Sequence, residues 1–211
     1  MTGKVIEIFD SIQGEGLYVG TYQTFLRLEG CNLRCRYCDT AASYSGGREM
    51  TPEQAAEKCL GLPPKIVSVT GGEPLCQPEF LREVCKLLKD GGKDIHLETN
   101  GTLPKELERV IDLVDVVAAD FKLPSASGCG ELWDVHEKFL EIASRKEVFV
   151  KVVCGENTPP EELLRCKEIA GSVPLVIQPV FGEKPDFSRI AAILRDNFRV
   201  IPQCHKILEV P

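Results

Sequence analysis

Three cysteines close together near the start of the chain are the residues best suited to chemistry. Cys31, Cys35 and Cys38 have the spacing C-x3-C-x2-C and directly follow a predicted strand. Three thiolates on one short loop can reach three corners of an iron–sulfur cube. The fourth iron then has no protein ligand, and an open metal position can bind a substrate or a cofactor. The spacing therefore predicts an iron–sulfur centre with one open iron.

Structural zinc is the main alternative for these cysteines. Zinc sites usually close with four Cys or His ligands, typically arranged as two pairs. No further Cys or His follows at a short spacing, because the next cysteine is Cys59 on a predicted helix. A redox pair made by Cys35 and Cys38 would leave Cys31 unexplained. We therefore favour the iron–sulfur interpretation.

The chain contains ten cysteines, which is many for its length. Cys59, Cys85 and Cys166 lie on helix-patterned segments beside Leu and Ala, so we expect them to be small buried apolar residues. A disulfide scaffold is disfavoured because the first residues lack the apolar core of a signal peptide. Cys129, Cys154 and Cys204 are spaced too irregularly to predict a second cluster.

A second candidate segment is Thr70-Gly-Gly-Glu-Pro74, at the end of a predicted strand. Glycines at a strand end let the backbone approach a ligand closely. A Gly-Gly turn alone is weak support for a site, and its value here comes from its position after the cysteine loop.

The predicted elements alternate between strand and helix. The predicted strands cover 24–29, 65–70, 94–99, 114–120, 148–153 and 175–178, and the predicted helices cover 52–60, 78–89, 131–144, 160–170 and 187–195. Residues 101–113 are only weakly periodic. Strands separated by crossovers imply a parallel sheet, so we predict an α/β fold, an open or partial barrel of about six parallel strands. Polar residues cluster where the strands end, which is the ligand face of such folds.

Composition limits the class of protein. Hydrophobic residues make up 43% of the 211 residues and charged residues 27%, as in a globular protein, and we expect one domain over 1–211. The net charge of −7 argues against a dedicated nucleic-acid binder. We find no apolar run of membrane-spanning length and no signal peptide, so we expect a cytoplasmic protein that does not bind a membrane.

The motifs together resemble the radical S-adenosylmethionine (SAM) superfamily, whose cysteine motif has an aromatic residue before the last cysteine. Tyr37 holds that position, and Gly-Gly-Glu-Pro resembles the superfamily's SAM-binding motif. The resemblance implies a modified, TIM-like radical SAM barrel with reduced helices, and a [4Fe–4S] cluster whose open iron chelates SAM. Gly72 would contact SAM, supported by Glu73. The remaining SAM contacts that it implies are Tyr37, Cys38, Asp39, Asp120, Phe121, Lys122, Gln178, Pro179, Val180 and Phe181.

The segment Ser11-Ile-Gln-Gly-Glu-Gly16, with Phe25, Arg27 and Cys38-Asp-Thr40, resembles the 7-carboxy-7-deazaguanine synthase family of queuosine and archaeosine biosynthesis. The resemblance spans essentially the whole chain. It implies contraction of 6-carboxy-5,6,7,8-tetrahydropterin to 7-carboxy-7-deazaguanine with loss of ammonia, regeneration of SAM, and assistance by Mg2+. It implies no protein catalytic residue beyond the radical generated at the cluster.

The same resemblance implies how substrate and metal are bound. Thr40 would bind Mg2+ through its hydroxyl. The substrate contacts that it implies are Ile12, Gln13, Gly14, Arg27, Thr70 and the carboxylate of the terminal Pro211. From the residues alone, Arg27 could equally lie in a structural ion pair, and Thr40 could cap a turn. Glu98, Asn100 and His205 are further candidates for the same surface.

The family also implies partners: a homodimer, and an electron donor such as flavodoxin or ferredoxin. Some members carry an insertion in the cysteine loop that this chain lacks, which leaves docking of the donor open. Two other functions stay possible. One is a radical SAM activase that makes a glycyl radical on a partner protein, and the other is a non-enzymatic iron–sulfur or zinc protein.

Overall fold

The computed structural model describes residues 1–211, and one mixed sheet runs through the whole molecule. Its nine strands are β1 (Gly3–Ile12), β2 (Tyr22–Leu28), β3 (Arg48–Met50), β4 (Ile66–Gly71), β5 (Asp94–Thr99), β6 (Val116–Phe121), β7 (Glu147–Cys154), β8 (Leu175–Pro179) and β9 (Phe198–Val200). Their order is β3-β1-β2-β4-β5-β6-β7-β8-β9. Pairing is parallel from β2 through β9, whereas β1 is antiparallel to both β2 and β3.

The six predicted strands correspond to β2 and to β4 through β8, and their parallel order is confirmed. The sequence interpretation missed β1, β3 and β9, which extend the sheet at its two ends. It treated residues 6–16 only as a motif, and the structure corrects this. Ile12 is the last residue of β1, so Gln13 and Gly14 emerge directly from a strand instead of lying in an irregular segment.

Eight helices flank the sheet. They are α1 (Pro52–Leu60), α2 (Pro78–Asp90), α3 (Pro104–Glu108), α4 (Pro124–Ser127), α5 (Trp133–Ala143), α6 (Pro160–Ala170), α7 (Phe187–Leu194) and α8 (Cys204–Leu208). α1 begins where predicted because Thr51 and Gln54 form a reciprocal capping box, with Pro52 at the first helical position. Between β5 and β6 only the five-residue α3 and one 3-10 turn form, which agrees with the weak periodicity there.

The two faces of the central strands differ, because successive side chains of a strand point in opposite directions. Residues such as Val67, Val69, Val150 and Val152 join a core cluster of 37 buried residues that also includes apolar residues of α1, α2, α5 and α6. Cys59, Cys85 and Cys166 are fully buried in that cluster, as predicted. The opposite face carries the polar residues and opens onto a cavity. No helix has the length and apolarity to cross a bilayer.

Candidate active site

A cavity of about 380 Å³ lies over the polar face of the sheet, against the loops at the carboxyl ends of its parallel strands. Eighteen of the twenty predicted site residues line it. They are Ile12, Gln13, Gly14, Arg27, Cys31, Cys35, Tyr37, Cys38, Asp39, Thr40, Thr70, Gly72, Asp120, Lys122, Gln178, Val180, Phe181 and Pro211. Their placement follows from the parallel sheet, whose strands all end on the same side.

Phe121 and Pro179 are the two predicted SAM contacts that do not line the cavity. Asp120 and Lys122 point into the cavity, so the alternation of the strand directs Phe121 into the core. There its ring stacks on His136 with 4.3 Å between ring centroids. The prediction of three consecutive SAM contacts at 120–122 did not take this alternation into account.

The sulfurs of the cysteine loop already have polar neighbours. Cys31 Sγ accepts from the backbone N–H of Leu33 at 3.4 Å and lies 3.9 Å from the amide nitrogen of Asn100. Burial raises the pKa of the Cys35 thiol to about 12. Metal ligation deprotonates a coordinating thiol outright, so a bound metal would overcome this effect of burial at Cys35. Three half-buried sulfurs that line one cavity fit a cluster held by three protein ligands.

Gly72 allows β4 to end against the cysteine loop. A Cβ at this position would lie 2.2 Å from the carbonyl oxygen of Gly30 and 2.9 Å from Cβ of Cys31. The next residue, Glu73, donates its backbone N–H to the same Gly30 oxygen at 2.7 Å. The sequence predicted that the backbone at this glycine approaches a ligand closely. The structure shows that it also approaches the cysteine loop closely, which leaves no space for a side chain.

Glu73 ties the ends of β4 and β5 together from a fully buried position. Its carboxylate accepts from the backbone N–H groups of Leu75 and Asn100, at 3.0 and 2.6 Å, and from the Thr99 hydroxyl at 2.9 Å. Burial raises the pKa of Glu73 to about 7, although these hydrogen bonds oppose the shift. The Glu73 carboxylate therefore holds the segment after β4 against the end of β5.

Charged side chains from three segments form the floor of the cavity. Lys151 contacts both Glu15 and Asp120, with 2.8 Å to the Asp120 carboxylate, and Lys122 lies 3.0 Å from the same oxygen. Burial opposes ionisation of Asp120, but the two ammonium groups outweigh it and lower its pKa. The second carboxylate oxygen of Asp120 is buried and has no hydrogen-bond partner. It is therefore an acceptor available to a bound molecule.

Most polar groups of the predicted substrate segment are engaged within the protein. Gln13 donates from its side-chain amide to the Glu98 carboxylate at 2.6 Å, and its amide oxygen accepts from the backbone of Glu15 at 3.0 Å. The Gly14 carbonyl accepts from the backbone of Cys204 at 2.8 Å. This segment therefore positions Glu98 and α8 beside the cavity, in addition to lining it.

Arg27 makes the ion pair that the sequence interpretation had left open. Its Nε donates to Glu7 at 2.7 Å, while its two terminal amino groups make no hydrogen bond within the chain. Phe9 and Phe25, stacked at 5.2 Å, line the cavity beside it. The guanidinium can therefore hold Glu7 and still present two donors to a carboxylate.

The Thr40 side chain does not cap the 3-10 turn that follows it, although its backbone carbonyl begins that turn. Its hydroxyl makes a long contact of 3.9 Å with Sγ of Cys38 and lines the cavity, so its oxygen can still accept a cation. Nearby, Glu15, Asp39 and His205 bring one potential metal-ligating atom each within 4.8 Å of one another. Lys151 and Lys206 already neutralise these two carboxylates, so we assign no metal to them.

Several cavity residues escaped the sequence interpretation: Glu15, His96, Lys151, Gln203 and Lys206. Lys151 had a usable signal, since it is the only charged residue within the apolar run 148–153. Gln203 had none, because it links Glu15 and Asp39, each at 2.8 Å, only after the chain has folded. Pro211 lines the cavity, and its carbonyl oxygen accepts from the Ser11 hydroxyl at 3.0 Å.

Comparison with known proteins places this fold and site. Residues 26–137 match the family model described as the radical SAM superfamily. A 7-carboxy-7-deazaguanine synthase from Geobacter sulfurreducens is 36% identical, over 96% of this chain and 95% of that protein. The one from Archaeoglobus fulgidus is also 36% identical, over 100% of both. The crystal structure of QueE from Escherichia coli has a TM-score of 0.70 at 22% identity, covering 97% of this chain and 95% of that one, and supports the fold.

The matched segment spans more than half of the chain and carries the cysteine loop, so the class is that of the radical SAM superfamily. This membership brings a [4Fe–4S] cluster and SAM as cofactors. Within the superfamily, the chain belongs to the 7-carboxy-7-deazaguanine synthase family, because the identity to its members extends over nearly the full length. It is a radical SAM enzyme of the lyase class.

Proposed function

We propose that the chain converts 6-carboxy-5,6,7,8-tetrahydropterin to 7-carboxy-7-deazaguanine with release of ammonia. One observation carries the proposal: a single cavity is lined by the cysteine loop, the Gln13 segment and Arg27. When bound, the cluster and SAM supply a 5′-deoxyadenosyl radical that abstracts a substrate hydrogen. The protein then has to hold its ligands in register and keep water away from them.

Cys31, Cys35 and Cys38 are the proposed cluster ligands. Gly72, at the end of β4, offers backbone groups to the SAM beside them, and the buried Glu73 keeps that strand end in place. Asp120 and Lys122 at the end of β6, and Gln178 at the end of β8, face the same space. The free oxygen of Asp120 can accept from a hydroxyl or amino group of SAM.

The substrate is a flat heterocycle with one carboxylate. The terminal amino groups of Arg27 suit that carboxylate, because a guanidinium binds it in a bidentate manner. Glu98, oriented by Gln13, can accept from the amino and ring N–H groups at the other edge. Burial opposes ionisation of Glu98, but the hydrogen bonds that Gln13 and Ser68 donate to it, at 2.6 and 2.9 Å, and the charge of Lys151 favour the carboxylate and lower its pKa. Ile12, Thr70 and Pro211 complete the proposed contacts.

We place Mg2+ at the Thr40 hydroxyl. A single hydroxyl is a weak site alone, but Mg2+ retains waters and commonly binds through substrate oxygens. The substrate carboxylate would supply a further ligand, and water molecules would fill the other positions. The role that follows for the metal is to fix this carboxylate and to stabilise charge during the rearrangement. An electron donor such as flavodoxin or ferredoxin, and a homodimer, complete the proposal.

The proposal is tested by anaerobic incubation of the reconstituted enzyme with SAM, dithionite, Mg2+ and 6-carboxytetrahydropterin. We expect 7-carboxy-7-deazaguanine and ammonia in equal amounts by mass spectrometry, without any protein partner. Omitting Mg2+ should lower the rate. The Thr40→Ala variant should also be slower, and it should need a higher Mg2+ concentration for half-maximal activity. Cleavage of SAM without this product would rule out the proposed substrate. A requirement for a partner protein would favour the activase instead.

A further inference from the structure

A fourth cysteine from a distant segment contacts the cysteine loop. The Sγ atoms of Cys129 and Cys35 lie 3.6 Å apart, which is within hydrogen-bonding distance for sulfur. The other two loop sulfurs have neighbours of a different kind: Cys31 accepts from Leu33, and Cys38 lies near Thr40. Cys35 is therefore the loop cysteine whose sulfur meets a second thiol.

The contact is built by the backbone and does not depend on the two sulfurs alone. Arg36, next to Cys35, donates its backbone N–H to the carbonyl of Ser127 at 2.9 Å. Its side chain lies against Gly128, where a Cβ would be 3.1 Å from Nε of Arg36. The backbone N–H of Cys129 bonds the Ser127 hydroxyl at 3.1 Å. The turn after α4 is thus fastened to the cysteine loop, and it presents the Cys129 thiol to Cys35.

The direction of the hydrogen bond is fixed once Cys35 binds iron. Two free thiols can donate either way, but an iron-bound thiolate has no proton and can only accept. A proton in the contact must then belong to Cys129, whose Sγ has Cys35 Sγ at 3.6 Å and, as a second and more distant acceptor, the Ser127 carbonyl at 3.9 Å. A thiolate of Cys129 at the open iron would occupy the position that the proposed SAM site requires, so the role that fits this thiol is that of a donor and not of a ligand.

We propose that Cys129 is a positioning residue whose S–H group hydrogen-bonds the Cys35 thiolate and makes the cluster easier to reduce. Reduction adds negative charge that spreads onto the ligand sulfurs, and a donor at one of them stabilises this charge. The inference rests on the proposed cluster ligation by Cys35. Cys129 would then help to determine how readily the cluster accepts the electron that generates the radical.

The test is the midpoint potential of the reconstituted cluster, from redox titration followed by electron paramagnetic resonance (EPR). Four proteins are compared: the wild type, Cys129→Ala, Cys129→Ser and Cys76→Ala. At a fixed applied potential, we expect the ratio of reduced to oxidised cluster to fall by about threefold in Cys129→Ala, from the loss of one weak donor. Cys129→Ser keeps an O–H donor and should retain the ratio. Cys76→Ala removes an exposed thiol outside the contact and should not change it.

Equal potentials in the wild type and Cys129→Ala, both fully loaded with iron, would overturn the inference while leaving the proposed function intact. Failure of the wild type to load iron would instead defeat the proposed function. Cys129→Val provides an apolar variant of larger volume if the alanine variant loads poorly.

A second measurement does not need the cluster. In the cluster-free protein, oxidised glutathione should join Cys35 to Cys129, converting two thiols to a disulfide while one oxidised glutathione becomes two glutathione molecules. Peptide mapping by mass spectrometry should recover this pair in the wild type and lose it in Cys129→Ser. Recovery of Cys35 paired mainly with Cys31 or Cys38 would contradict the contact on which the inference depends.

Discussion

Replacing Gly72 by alanine should damage the cluster site through a purely steric effect. The added Cβ would lie 2.2 Å from the Gly30 carbonyl oxygen and 2.9 Å from Cβ of Cys31. An ordinary contact needs roughly 3.4 Å, so the strand end and the cysteine loop must separate by about 1 Å. Metal sites tolerate only about 0.2 Å in their ligand distances. A shift of Cys31 relative to the other cysteines by even a fraction of this separation would exceed what a cluster accepts.

Overpacking of this kind costs about 1–3 kcal/mol of folding free energy. A loss of about 2 kcal/mol lowers the melting temperature of a chain of this size by roughly 4–8 °C. The decisive assay is iron content after anaerobic reconstitution, together with SAM binding. We expect Gly72→Ala to retain less than half of the wild-type iron and to bind SAM poorly.

Gly61→Ala is the matched control for this prediction. Its Cβ would meet the carbonyls of Glu57 and Lys58 at 3.5 Å, which is an ordinary contact, and the backbone there is in the helical region. Its stability should change by about 0.5 kcal/mol or less, with full iron loading. Full iron content and normal SAM binding in Gly72→Ala would refute the reasoning, because the loop would then have to tolerate the added methyl group.

Three further predictions concern the charged and titratable groups. Burial lowers the pKa of His136 from 6.5 to about 4, so its contribution to stability is fully present above pH 6.5 and is lost as pH falls toward 4. Between pH 7 and pH 5 this amounts to about 2 kcal/mol of unfolding free energy, and His136→Gln should show a correspondingly smaller loss in urea titrations; an unchanged loss would contradict the shift. Lys151→Met leaves the partly buried carboxylates of Glu15 and Asp120 short of a cation and should destabilise the chain by about 2 kcal/mol, whereas the exposed Lys138→Met should be neutral; equal melting temperatures would contradict the proposed network. Arg27→Gln should raise KM for the carboxypterin by about 10- to 100-fold while Glu7→Gln changes it little, and steady-state kinetics in which both variants behave alike would favour the purely structural ion pair.

The sequence predicts those parts of the site that depend on local pattern. The spacing of Cys31, Cys35 and Cys38 specifies one loop, whatever the rest of the chain does. The six central strands are short segments rich in β-branched and other apolar residues and bounded by turn residues, which is a local signal for strands. Because parallel strands all end on one side, the sequence also predicted that Thr70 and Asp120 share a cavity with this loop.

The remaining parts of the site depend on register, which local pattern does not specify. Whether a residue at a strand end faces the cavity depends on the alternation of side chains, and this separates Lys122 from Phe121. The pairing of Lys151 with Glu15 joins residues 136 positions apart, and Cys129 meets Cys35 across 94. Such contacts arise only after the sheet has assembled, so the charges and thiols involved looked like isolated residues in the sequence.

The central claim is that three cysteines leave one iron open to SAM inside this cavity. Pulsed EPR of the reduced, reconstituted enzyme with SAM carrying 15N at its amino group and 17O in its carboxylate tests the claim most directly. We predict hyperfine couplings from both labels, which vanish in a Cys35→Ala variant along with the cluster signal. A reduced cluster whose spectrum does not change when labelled SAM is added would contradict the account.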